Sequence, residues 1–84
     1  MSAKEMFEEY NLKQKICRFQ GKIISISYIS EKYYKPQVSF NLKQKTYRVF
    51  YKDCSSGYNE NASVIDMILH KAINKQIEEL GWNK

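Results

Sequence analysis

Eighty-four residues, 43% of them hydrophobic, make one small globular domain with a thin core. Three Gly and one Pro leave no room for a flexible linker, and only about residues 1–3 and 83–84 read as loose ends. The net charge of +5 is segregated: ten of the fourteen Lys and Arg fall within residues 13–52, alongside a single acid, Glu31.

The first element is a short helix over residues 2–11. Ser2 can cap it, and Glu5 stands three residues on, as in a capping box. Ala3, Met6, Phe7 and Tyr10 recur at helical spacing. Glu5, Glu8 and Glu9 lie near its start, where the helix dipole favours acids.

Three strands follow. The first is expected over about Cys17–Ile29, with a bend at Gly21; Ile24, Ile26 and Tyr28 share one face, and Ser25 and Ser27 the other. A loop over 30–35 leads to Pro36, which suits a strand start or edge. In the second strand, about Gln37–Leu42, Val38, Phe40 and Leu42 face in while Gln37, Ser39 and Asn41 face out. In the third, about Thr46–Lys52, Tyr47, Val49 and Tyr51 face in while Thr46, Arg48, Phe50 and Lys52 face out. The apolar parity switches between Leu42 and Tyr47, so the chain must turn or bulge at Lys43–Lys45. A tight hairpin is the expectation there, with Asn41 the one nearby residue that readily takes positive φ.

The last element is a helix whose entry Ser63-Val64-Ile65-Asp66 fits a capping box. Ile65, Ile68, Leu69, Ala72, Ile73, Ile77 and Leu80 form its apolar stripe. Gly81 is its expected stop, and Trp82 can fold back on Ile77. Glu78 and Glu79 stand at the unfavourable end of its dipole. The expected fold is α+β: a two-layer α-β-β-β-α domain with a three-stranded antiparallel sheet packed on the C-terminal helix. The inner sheet face is then Ile24, Ile26, Val38, Phe40, Tyr47 and Val49, and the other face is polar and basic unless the first helix covers it.

The order of elements resembles double-stranded RNA-binding domains, although Gly57–Ser63 carries no lysine where those domains carry a basic, phosphate-binding helix start. Three strands followed by a helix also resemble the arm-binding domains of mobile-element integrases, which lay a sheet in the DNA major groove. A local likeness runs over Cys54–Ile73. Ser56-Gly57-Tyr58-Asn59, then Ser63 and an apolar helix, resembles small uncharacterised proteins of phages and conjugative elements of Gram-positive bacteria. That resemblance implies a mobile-element origin without naming an activity. A further echo is internal: Asn11–Lys15 and Asn41–Lys45 both read NLKQK, and each is followed by an arginine, Arg18 and Arg48.

Candidate chemistry gathers on the basic field, which attracts and steers polyanions. Lys43, Lys45, Arg48 and Lys52 are the expected phosphate contacts, and Phe50 among them can stack on a base. Tyr28, Tyr33 and Tyr34, flanked by Lys32 and Lys35, form a second candidate surface for a protein partner. No metal site is expected. Cys17 and Cys54 form no CxxC pair, one histidine cannot complete a zinc site with them, and the 53–61 loop lacks the acids of a calcium loop. An anion resting at the helix start near Ser63 is one further expectation. No nucleophile–base set, paired acids or Gly-rich phosphate loop is present, so neither an enzyme nor a cofactor is expected. Met1–Glu5 lacks the apolar run of a signal peptide, and no segment nears the ~20 apolar residues of a membrane helix. A cytoplasmic accessory protein that binds nucleic acid is the leading expectation. The alternatives are a protein-binding module or enzyme inhibitor using the tyrosines, and a homodimer formed through a sheet edge.

Overall fold

In a computed structural model of the chain, two helices pack on one face of an antiparallel sheet. The structure describes residues 1–30, 36–52, 59–61 and 65–82, with the backbone alone at 52 and 59–61. Helix α1 spans Ala3–Glu9; strands β1 to β5 span Lys13–Phe19, Lys22–Ile29, Gln37–Asn41, Thr46–Lys52 and Asn59–Asn61; helix α2 spans Met67–Leu80. The sheet order follows the chain, β1-β2-β3-β4-β5, and β5 is a three-residue addition to four full strands.

The α+β class is as expected, but the first long strand is two. Residues 13–29 fold into a hairpin, with Phe19 opposite Lys22 and a two-residue turn at Gln20 (φ 51°) and Gly21 (φ 79°). Positive φ at both central positions is the type I′ signature, whose twist matches that of the flanking strands. The three-strand order behind the likenesses to RNA-binding and integrase domains therefore does not hold. Between Cys17 and Arg18 the register slips: Cys17 pairs with Ser25 and Arg18 with Ile23, leaving Ile24 as a bulge residue.

The β3–β4 hairpin forms as expected, by an unexpected device. Lys45 takes the positive φ (57°), while Asn41 stays in its strand and its side-chain carbonyl accepts the Gln44 N–H at 3.0 Å. The two NLKQK copies consequently differ. Asn11 (φ 65°) ends α1, where Leu12 N–H reaches the Phe7 carbonyl at 3.0 Å and Asn11 N–H that of Glu8 at 2.9 Å, a Schellman closure. Lys13 lies opposite Ile29 and Asn41 opposite Ser25, so the two corners mark opposite ends of β2.

The Ser2–Glu5 capping box of α1 is present in full. The α2 cap is displaced from expectation. Asp66, not Ser63, is the N-cap, and its Oδ1 accepts the Leu69 N–H at 2.8 Å. Ser63 lies outside the described residues. The buried stripe of α2 is Leu69, Ala72, Ile73 and Gln76, with Ile77 and Leu80 at its margin; Ile65 and Ile68 are exposed. Gly81 takes the left-handed conformation (φ 74°), and Trp82 N–H closes on the Ile77 carbonyl at 3.2 Å.

The core joins Ala3 and Phe7 of α1, Leu12, Tyr28, Val38, Phe40 and Val49 beneath, and Leu69, Ala72 and Ile73 of α2. Phe7 stacks on Tyr28 at 3.8 Å between centroids, and Phe40 meets both rings edge-on. Gln14, Tyr28 and Gln76 form a hydrogen-bonded chain through this layer. The Tyr28 hydroxyl accepts from Gln14 Nε2 at 3.1 Å and donates to Gln76 Oε1. Two positions expected in the inner face lie at its margin: Ile24 and Tyr47 are 46% and 45% exposed. Ile24 is the bulge residue of β2, and Tyr47 is the second residue of β4, beside the β3–β4 turn. Among the described residues no helix is long and apolar enough to cross a membrane.

Candidate nucleic-acid interface

Both helices lie on the Tyr28–Phe40 side, so the opposite sheet face is not covered by α1. Pairing fixes which residues share that face. One row crosses four strands: Lys15 opposite Ser27, Ser27 opposite Ser39, and Ser39 opposite Arg48. A parallel row runs Cys17, Ser25, Asn41 and Thr46. On the other side of the first row, Lys13 is opposite Ile29, and Gln37 is opposite Phe50.

The centre of this face is made of short hydroxyls, and its sides carry long cations. Ser27 and Ser39 hydroxyls lie 3.0 Å apart, one donating to the other across the face. Lys13 and Lys15 stand exposed on β1, and Arg48 stands exposed on β4. The Arg48 guanidinium carbon sits 5.2 Å from the centroid of the half-buried Phe50 ring, a cation–π pair that holds both side chains on the same wall. Beside this row, Gln37 is 4% exposed, and its amide donates to the Ser30 carbonyl at 3.2 Å. Strands β1 to β4 contain no Asp or Glu.

The helix layer has the opposite sign. Glu5, Glu8 and Glu9 belong to α1 and its first two turns, and Asp66, Glu78 and Glu79 to α2 and its cap. Glu5 is held below the usual carboxylate range by the Ser2 backbone N–H and hydroxyl that bond it. Lys4 pairs with Glu8 at 3.9 Å and Lys75 with Glu78 at 3.8 Å, both along exposed helix surface.

Of the expected phosphate contacts, Arg48 and Phe50 lie on the outer face as read from strand parity. Lys43 and Lys45 are exposed in the β3–β4 turn, at the sheet end rather than on its face. Lys52 falls in β4, opposite Asn59, and its side chain lies outside the described residues. Lys13 and Lys15 precede the first strand expected from the sequence, which begins at about Cys17, yet they alternate outward along β1. The missed signal was Gln20-Gly21, which makes residues 13–19 a strand of their own.

Tyr28 is not a surface residue. It is fully buried between Phe7 and Phe40, and burial, the leading cause, raises its hydroxyl pKa. Tyr33 and Tyr34 lie outside the described residues. His70, on the exposed side of α2, exchanges a hydrogen bond with Asn74 at 3.1 Å. Among the described residues no three His, Cys, Asp or Glu come together to hold a metal ion. The α2 start near Ser63, considered for an anion, is occupied by the Asp66 carboxylate, which also accepts from the Tyr10 hydroxyl. A cleft of about 730 Å³ beside α1 is lined by Lys4, Glu8, Asn11, Lys13 and Ser30 among others, a mixed-charge surface.

Comparison with protein-family models, with curated proteins and with solved structures found no match for this chain.

Proposed function

We propose that this chain is a small, non-enzymatic protein that binds nucleic acid through the sheet face opposite its helices. One observation carries the reading: the Lys15–Ser27–Ser39–Arg48 row lies on four strands that contain no acid, while the acids of α1 and α2 belong to the layer behind. Such a two-sided charge distribution pulls a polyanion to one face and repels it from the other. Hydroxyls and amides between the cations can bond phosphate and sugar oxygens. The Arg48–Phe50 pair offers a planar surface to a base.

The test is fluorescence anisotropy with a labelled oligonucleotide across a salt series. Three phosphate contacts, from Lys13, Lys15 and Arg48, give a log–log salt slope of about −2 on a single strand and about −2.7 on a duplex. Lys15→Ala and Arg48→Ala should each weaken binding and flatten that slope by about one unit or slightly less. Lys71→Ala, exposed on α2, should leave both unchanged. Equal binding by wild type and both face variants would remove the assignment.

A further inference from the structure

Resting on that reading, we infer that the ligand is a single strand, seated along β2 and β3 between two cationic walls. The relief of the face is the argument. At the centre of its middle strands stand Ser25, Ser27 and Ser39, side chains that barely rise above the backbone, with Asn41 at one end and Ile29 and Gln37 at the other. Its flanking strands present Lys13 and Lys15 on one side and Arg48 with Phe50 on the other. Lys15 and Arg48 are three strand spacings apart, ~14 Å between backbones.

A surface that reads duplex DNA has the opposite profile. The major groove is ~12 Å wide and ~8.5 Å deep, so an entering sheet must be tallest at its centre to reach base edges. Here the centre is the lowest part. A rigid duplex would rest on the lysine and arginine tips, with the serines out of reach of any base. A flexible strand can settle between the walls. Lys13 and Lys15, ~7 Å apart along β1, follow its phosphates, and the Arg48–Phe50 wall takes a base face. Whichever of the Ser27 and Ser39 hydroxyls accepts within their pair keeps its own proton to donate to a sugar or phosphate oxygen from below.

The experiment compares a labelled oligothymidylate, the same length of duplex DNA, and polyglutamate as competitor, at ~50 mM salt, where phosphate contacts are strongest. The wild type should bind the single strand about tenfold or more tightly than the duplex, and polyglutamate should displace it poorly. A floor-raising pair, Ser27→Ile with Ser39→Ile, keeps every cation and uses residues that suit strands. Circular dichroism and the thermal midpoint establish that this variant is folded. It should lose about tenfold or more in single-strand affinity while duplex binding stays within about twofold. Duplex bound as tightly as the single strand, a harmless floor-raising pair, or equal competition by polyglutamate overturns the single-strand inference and leaves the basic-face reading standing. Failure to bind either nucleic acid at that salt overturns both.

Discussion

The carboxylate of Glu79, in the last turn of α2, accepts the backbone N–H of Ala3, the first residue of α1, at 2.8 Å. An acid at a helix C-terminus ordinarily opposes the dipole. Here it serves the N-terminus of the neighbouring helix, satisfying one of the donors that a helix start leaves without an intrahelical partner. At the other end of the pair, Asp66 caps α2 and also accepts from Tyr10, the residue that ends α1. The seven-residue helix is thus held on α2 at both ends, which a segment too short to be stable alone requires.

Removing that cap should be visible in chemical denaturation. Glu79→Ala is expected to destabilise the domain by about 1 kcal/mol, as for the loss of an N-cap acceptor. Glu79→Gln, which keeps an oxygen at the same reach, should lose less. Urea midpoints read the difference, and an unchanged m-value assigns it to the folded state. Equal midpoints for wild type and Glu79→Ala would show that the bond contributes nothing.

Phe7 is the side chain on which α1 depends. It is fully buried and stacked on Tyr28, so Phe7→Ala should cost about 3–5 kcal/mol. That is close to the whole stability that the core of so small a domain supplies, about 3–5 kcal/mol, so the variant should be largely unfolded at room temperature. Ile68→Ala, 63% exposed on α2, should change stability by less than about 0.5 kcal/mol. Thermal melts followed at 222 nm distinguish the two.

Alkaline pH should weaken the fold through Tyr10. Burial, with the Asp66 hydrogen bond and charge behind it, pushes the Tyr10 hydroxyl up to about 12 from an ordinary value of 10.0. A pKa raised on folding means stability fully present below pH 10 and lost as pH climbs through 12. Tyr28 is raised in the same direction, mainly by burial. Tyr10→Phe should therefore flatten the alkaline loss without abolishing it, while costing about 1 kcal/mol at neutral pH for the missing bond. Stability profiles of the two proteins that coincide from pH 9 to 12 would refute this account.

The β1–β2 turn offers a gain. Gln20 takes φ 51° without being glycine or asparagine. Gln20→Asn would create, with Gly21, the pair that type I′ turns favour. It should stabilise by about 0.5–1 kcal/mol, or about 2–8 °C in thermal midpoint for a chain of this size. A lower midpoint would mean that the glutamine side chain makes a contribution that the turn geometry does not account for.

How much was legible in the sequence followed how local the signals were. The α1 capping box and the Gly81 stop depend on residues a few positions apart, and both were readable. Outward parity put Arg48 and Phe50 on one face for the same reason. The first hairpin was missed because Gly21 was read as a bend within one strand from Cys17 to Ile29, and Gln20 is not a residue that announces a turn. That error hid Lys13 and Lys15 from the face. Ser63 fits a capping box with Asp66 three residues on, whereas Asp66, the cap that forms, has Leu69 at that place and so lacks the box pattern. The Ala3–Glu79 bond joins positions 76 apart, a relationship that no local pattern encodes.

The sheet order, in which each strand pairs with its sequence neighbour, carries a kinetic consequence. Every ladder closes a short loop, and topologies rich in such contacts fold quickly. The contacts between α1 and α2 are of another kind, since they close nearly the whole chain. The meander can form before the first helix has found its partner. Exchange of backbone amides with deuterium should then protect β2 and β3 earliest during refolding and α1 last, and the same helix should be the first to open under native conditions.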